Sequence, residues 1–292
     1  MLLDMANIFD LPDFMIANVD KNKLSKIKKI IFLLKGILLG FLHKNTSGRL
    51  FCMIMNLFYN YDGNIYFKEN KYFKETKNNE LIYFPNKRID RIIIDADMHF
   101  KKLLLQYSLE NFKLEKKDLV IDCGANVGEM YFSLKINNPS FDYVAFEPDP
   151  KAFECLLLNL KKYNHDLYNN PLSSTEADMK FYLDTYGANS SLEYFGKDQY
   201  IILKSKTIDS FNFKKVKLLK LEAEGHELEV LKSSSRTLKN IEYISVDYGP
   251  EKGKEGNMTL PEVTNYLFKN NFIIVHSSSL RYTALFKNLN FA

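Results

Sequence analysis

Four carboxylates stand where short apolar runs end: Asp122 in LVIDC, Glu147 in YVAFE, Glu222 in VKLLKLE and Asp247 in EYISVD. An acid at the mouth of a buried strand can accept hydrogen bonds from ligand hydroxyls or from the backbone amides of its own loop. The first leads into GANVGE at 124–129, where Gly124 brings backbone close to a ligand and Gly128 lets the following helix approach the sheet. Asp122 is placed to hold this loop through hydrogen bonds to its amides. The loop has no Walker lysine and does not match GxGxxG, so it gives little support for phosphate binding. Taken alone, it also reads as a structural strand-to-helix turn.

Glu147 follows the loop by about twenty residues, the spacing at which an acid accepts both hydroxyls of a ribose. The plainer role for it is support of the helix that starts nearby. Loop and acid together favour a nucleoside cofactor. In KLEAEGHE, Glu224, His226 and Glu227 crowd behind Glu222. His226 is a candidate general base because imidazole titrates near neutrality, and it can equally face solvent at a helix start. Lys220 shares a strand face with Glu222, to pair with an acid or to reach an anionic acceptor. His99 and His165 lie outside any strong motif. Asn189, Ser190 and Ser191 form a polar bend, and Asp209 precedes the next strand.

These groups need elements to carry them. From about residue 117 apolar runs alternate with helical patterns. DLVIDC, FDYVAFE, LYNNPL, KVKLLKLE, IEYISVD, NFIIVHS and RYTALF read as strands, and MKFYLD as part of a hairpin. Helices are expected over 127–136, after Asp149-Pro150 with Phe153, Leu156, Leu157 and Leu160 inward, over ELEVLKSSSRTL, and from a capping box at Thr259–Glu262. Strands joined by crossover helices imply a largely parallel sheet, and ligands gather outside its carboxyl edge. Residues 50–109 are mixed, with a D-G turn at NYDGN and strands at ELIYFP and RIIID; QYSLENF ends a helix. The expected division is a helical and mixed region over 1–109, serving substrate or dimer contacts, and a catalytic domain over 110–292.

The 292 residues, 46% hydrophobic, suffice for one large core and an appendage. A net charge of +4 does not call for nucleic acid, and no basic stripe with interleaved aromatics lies near the rim. Cys52, Cys123 and Cys155 lack metal spacing and fit a reducing compartment. No apolar run reaches the roughly 18 residues of a membrane span, and Asp4 and Asp10 are unlike a secretory signal, so a cytoplasmic protein is expected. Residues 21–49 hold eight Lys or Arg and no acid. Leu24, Ile27, Ile31, Leu34 and Leu38, widened by Ile30, Leu33, Ile37 and Phe41, mark a helix that packs on the main domain, pairs two subunits, or lies on an anionic membrane surface.

The ordered motifs VIDCGANVGE, AFEPDP, Leu172-Ser173, GANSSL at 187–192, KTID at 206–209, LLKLEAEGHELEVLK at 218–232 and ISVD resemble the FkbM family of S-adenosylmethionine-dependent methyltransferases. The resemblance covers roughly residues 115–292, with a weaker trace from about residue 80. It implies a Rossmann-like class I methyltransferase fold: an α/β, seven-stranded, mostly parallel sheet with an antiparallel terminal strand. It assigns Asp122, Gly124, Asn126 and Gly128 to the cofactor loop, Glu147 to the ribose, and Leu172 and Ser173 to the adenine. It makes Glu222, Glu224, His226 and Asp247 the catalytic set, and Asn189–Ser191 part of a pocket. Glu222 and Asp247, with Glu224 as a third ligand, would hold Mg2+ or Mn2+. One departure stands out: the family's K-x-D-x-E-G is here Lys220-Leu221-Glu222-Ala223-Glu224-Gly225, one methylene longer at the third position. The implied reaction is O-methylation of a carbohydrate, as a nucleotide sugar or surface-polysaccharide precursor. The alternatives are an amine, carboxylate or polyketide acceptor, or a noncatalytic membrane-associated binding protein.

Overall fold

Residues 25–138, 140–184 and 189–291 are described by the computed structural model. Lys21, Lys23 and Leu24, together with Gly187 and Ala188 of GANSSL, lie outside them. The chain divides into two units, Met1–Ala96 and Asp97–Ala292.

In the first unit, Ser25 opens helix α1 (Lys26–Asn45) by accepting the Lys28 N–H. The chain turns at Gly48 (φ +59°) into α2 (Gly48–Phe58). Strands β1 (Gly63–Lys68), β2 (Lys71–Thr76) and β3 (Leu81–Phe84) form an antiparallel meander. Glu69 and Asn70, both at positive φ, make its first tight turn. RIIID is not a strand; a 3-10 helix runs over Lys87–Ile92, started by the Asn86 side chain. The reason lies elsewhere in the chain. Lys74, fully buried and 2.9 Å from Asp62, donates to the carbonyls of Ile92 (2.6 Å) and Ile93 (3.0 Å). An ammonium satisfies those carbonyls, so no neighbouring strand is needed.

The second unit carries α3 (Ala96–Gln106), then β4 (Leu119–Cys123), α4 (Glu129–Lys135), β5 (Asp142–Phe146), α5 (Pro150–Leu160) and β6 (Asp166–Tyr168). A hairpin follows, β7 (Asp178–Tyr182) and β8 (Tyr200–Lys204), then β9 (Val216–Leu221), α6 (Glu227–Lys232) and β10 (Ile241–Asp247). The chain ends with a small ribbon β11 (Pro250–Lys252) and β12 (Asn257–Met258), α7 (Leu260–Lys269), β13 (Phe272–Ser277) and β14 (Thr283–Asn288). The main sheet runs β13-β14-β10-β9-β4-β5-β6. Its β10-β9-β4-β5-β6 pairs are parallel, and β14 runs antiparallel to both neighbours. This is the expected Rossmann-like class I arrangement. Val120, Ile121, Leu218, Leu219, Leu221, Ile244 and Val246 are wholly or almost wholly buried, which is why these strands read as unbroken apolar runs.

Three local expectations change. On α5, Asp149 accepts the N–H groups of Lys151 (2.9 Å) and Ala152 (3.2 Å) as a cap should, but Ala152, Cys155, Leu156 and Leu160 face inward while Leu157 is exposed. Helix α6 stops at Lys232 because Ser233 and Ser234 turn their hydroxyls back to the carbonyls of Val230 and Leu231. The Thr259 capping box does not form: its hydroxyl makes no cap bond, and Glu262 pairs with Lys252 at 2.6 Å.

Register sets the rim. Cys123 lies opposite Phe146 and Leu221, and Leu221 opposite Val246. Gly124, Glu147, Glu222 and Asp247 therefore emerge together at the carboxyl edge.

Candidate active site

The glycine loop is built by its neighbours. The N–H groups of Gly124 and Ala125 both donate to the Phe146 carbonyl, at 3.0 and 3.1 Å. Gly124 (φ +74°) presses against β9, and a Cβ there would stand 2.0 Å from the Glu222 carbonyl oxygen. Gly128 (φ +90°) faces α5, where a Cβ would meet the Leu156 side chain at 2.9 Å. Asn126 adopts φ +49° and donates its N–H to Glu147 Oε2 at 2.6 Å.

Glu147 is 7% exposed and also accepts the Asp149 N–H through Oε1 at 2.7 Å. Burial pushes its carboxyl up to about 8, against the pull of those two amides. It both fixes the loop and keeps further lone pairs for a ligand hydroxyl.

Asp122 does not hold the loop through amides. It is fully buried, accepts the Tyr143 hydroxyl and stands 3.0 Å from Lys220 Nζ. Lys220 in turn donates to the carbonyls of Cys123 (3.2 Å) and Gly124 (2.7 Å) and lies 3.1 Å from Glu222. Asp122 thus acts on the loop through a buried ammonium. Lys220, 3% exposed at its side chain, is a structural ion-pair member and does not reach toward an acceptor.

Leu172 is buried in the core, bridged to Lys206, and the Ser173 N–H donates to the Lys206 carbonyl. Ser173 Oγ lies 3.0 Å from His226 Nε2, and His226 Nδ1 lies 2.8 Å from Glu193. Both ring nitrogens of His226 therefore have protein partners, a hydroxyl on one side and a carboxylate on the other. Ser191 donates to the Glu224 carbonyl and Ser190 to Asp149, which docks the polar bend on the rim. Asp209 stands apart, gathering the N–H groups of Arg236 and Thr237. His99 pairs with Glu129 at 2.7 Å, below the loop.

Glu222 and Asp247 meet one cation that the sequence motifs did not reveal. Arg281 donates Nη2 to Glu222 and Nε to Asp247. Tyr107, at the end of α3, donates its hydroxyl to Glu222, and Asp247 also accepts the Gly249 N–H at 3.0 Å. Burial opposes ionisation of Glu222, yet Arg281 and Lys220 hold it far below the usual carboxylate range. Asp247 is raised, mainly by burial and despite Arg281. The pair expected to bind Mg2+ or Mn2+ is spanned by a guanidinium, which takes the lone pairs a hard ion would need. Among the described residues no three His, Cys, Asp or Glu side chains gather as ligands. As arranged, these residues do not fit a divalent cation.

Beyond this cluster the rim has surplus acid. Glu224, at φ +50°, is pushed up to about 9 by burial and by the charges of Glu222 and Glu251. Glu251, missed in the sequence because it sits on the short ribbon after β10, is pushed up to about 8 by burial and by Asp247 and Glu222. No described residue donates a hydrogen bond to either carboxylate. The amides near Gly225 are taken by Glu227, which accepts from Ala223 and Gly225 at 2.9 and 3.1 Å. Two buried carboxyls that a nearby positive charge would ionise stand on the same rim as the glycine loop and a buried strand-end carboxylate, a setting that suits a cationic nucleoside.

Residues 122–274 match the family model described as the Methyltransferase FkbM domain. The chain is 25% identical over 169 residues to the hexuronic acid methyltransferase AglP of Haloferax volcanii, spanning 56% of this chain and 69% of that protein. It is similar to a methyltransferase FkbM from Methylobacillus flagellatus KT, with 16% identity and a TM-score of 0.46 over 65% of this chain and 50% of that one. It is also similar to M. jannaschii TYW2 in complex with AdoMet, with 11% identity and a TM-score of 0.39 over 77% and 90% of the two chains. The chain thus spans half the length of the first of these solved relatives. Over half of the chain lies within the family model, and the chain belongs to the FkbM family of S-adenosylmethionine-dependent methyltransferases.

Proposed function

We propose that the protein acts in the cytoplasm and methylates a hydroxyl of a carbohydrate, a nucleotide sugar or a surface-polysaccharide precursor. The observation that carries this is the glycine loop held by Glu147 at the carboxyl edge of the sheet, within the residues that match the FkbM family model. S-adenosylmethionine, when bound, supplies the methyl electrophile and a net positive charge, its sulfonium and ammonium outweighing its own carboxylate. The likeness to a hexuronic acid methyltransferase supports a sugar as acceptor.

In this reading Gly124, Asn126 and Gly128 shape the cofactor loop, Asp122 steadies it through Lys220, and Glu147 accepts the ribose hydroxyls. Leu172 and Ser173 bound the adenine side. Glu224 is the base: its carboxylate has no hydrogen-bond donor among the described residues, while Glu222 and Asp247 are held by Arg281. The acceptor oxygen forms the new bond to methyl carbon as the carbon–sulfur bond breaks, and the hydroxyl proton passes to Glu224. Glu222, Asp247 and Arg281 position this wall of the pocket without a metal.

Radiolabelled S-adenosylmethionine offered with nucleotide sugars, free hexuronic acids and RNA tests the assignment. A sugar product of the mass expected for one added methyl is the predicted result. Label transferred only to RNA, or to no sugar while the cofactor binds, would overturn it.

A further inference from the structure

Helix α1 presents an unusual surface. Advancing 100° per residue, Ile27, Ile30, Ile31, Leu34, Leu38 and Phe41 fall on one face, and all are exposed, Ile27 at 72%, Leu34 at 63% and Phe41 at 64%. Among the described residues this stripe has no cover, and it is the opposite side of the helix that buries Gly36 and Leu39. Helix α2 adds a second exposed row, Leu50, Met53 and Leu57.

The charges around the stripe say what covers it. Lys26 and Lys44 fall along one margin of the face, Lys28 and Lys35 along the other, and Arg49 opens α2. No Asp or Glu occurs from residue 21 to residue 61. A second copy of this face would set lysines against lysines across a twofold axis, with no acid on either described helix to receive them. A surface of lipid tails under anionic headgroups complements both features at once. Among the described residues no helix is long and apolar enough to cross a membrane, so the 20-residue helix would lie in the plane of the interface. We infer that the α1 face, with the exposed row of α2, docks the protein on an anionic lipid surface. The inference is independent of the acceptor assigned above.

Co-sedimentation of the full chain with vesicles tests it, using phosphatidylcholine alone and phosphatidylcholine with phosphatidylglycerol. Binding is expected only to the anionic vesicles, and it should weaken as salt is raised. The double variant Leu34→Asp/Phe41→Asp should abolish it. Lys28→Gln/Lys35→Gln should lower the partition coefficient roughly fivefold per lysine. All four positions lie on or beside the exposed face, and unchanged melting and S-adenosylmethionine affinity would show that the variants fold. Failure to sediment with anionic vesicles would overturn the inference, as would binding indifferent to Leu34→Asp/Phe41→Asp. So would a dimer, seen by sedimentation velocity, that this same variant dissociates without any lipid binding.

Discussion

Arg281 reaches Glu222 across fifty-nine residues of chain and, through its Nε, holds Asp247 at the same time. One guanidinium thereby neutralises acids from two adjacent parallel strands. Removing one member of such a cluster leaves uncompensated buried charge. Arg281→Ala should destabilise the protein by about 3 kcal/mol, near the lower end of the usual range because the side chain keeps 26% of its surface. Chemical denaturation measures this, and Arg281→Lys should restore only part, since an ammonium cannot offer the forked geometry.

The same contact bears on metal. If Arg281 is the resident cation, chelation should leave methyl transfer unchanged, and added magnesium or manganese should not raise it. Asp247→Asn should then lower thermal stability and alter acceptor KM with little change in cofactor affinity. Activity abolished by a chelator and restored by one ion would refute this account.

Glu147 is predicted to serve loop and ligand together. Glu147→Ala removes the acceptor of the Asn126 and Asp149 amides as well as that of the ribose hydroxyls. S-adenosylmethionine affinity should fall roughly tenfold or more by calorimetry, the scale of a lost charge-assisted hydrogen bond. Glu147→Gln should retain loop geometry better and lose less.

Cofactor binding should depend on pH through Glu224 and Glu251. With carboxyls at about 9 and about 8, both are largely protonated at neutrality in the empty protein. A cationic ligand favours their ionised forms, so binding releases protons and affinity rises from pH 6 toward pH 9. Calorimetry in buffers of different ionisation enthalpy reads the release directly. For stability the sign is opposite. Folding raises these pKa values above their unfolded positions near 4.5, so the folded protein binds more protons between the two values. Ligand-free stability should decline as pH rises through that window, and Glu224→Gln should flatten the decline.

Gly124→Ala places a Cβ on the Glu222 carbonyl oxygen and forces a non-glycine residue to φ +74°. A loss of roughly 3 kcal/mol is expected, with weaker cofactor binding in whatever fraction folds. Ala at position 128 has a softer obstacle, the end of Leu156, and should cost less.

The sheet was legible because parallel strands buried on both faces show as continuous apolar runs, and the acids that end them stand out against that background. Gly124, Glu147, Glu222 and Asp247 fall on one rim by this logic, whereas Asp122 is buried inside its strand. Arg281, Tyr107 and Glu251 were not legible this way, because none of them follows the carboxyl end of a parallel strand: Arg281 precedes the antiparallel β14, Tyr107 follows α3, and Glu251 lies on the small ribbon. A signal for Arg281 did exist. A strand antiparallel to its neighbours meets the carboxyl edge with its beginning, so the residues just before Thr283 had to lie beside Asp247. The setting of His226 was hidden for a related reason: its own motif is plain, but its partners Ser173 and Glu193 come from distant segments. RIIID failed likewise, its carbonyls being claimed by a lysine from another strand.

Strand β14 slots between β10 and β13, and the arginine two residues ahead of it closes the acidic wall. Without the closing hairpin Glu222 would keep Lys220 and Tyr107, while Asp247 would be left with the Gly249 amide alone among the partners described above. The demand for the guanidinium therefore falls chiefly on Asp247, and the last two strands complete the neutralisation of an edge laid down by the strands before them.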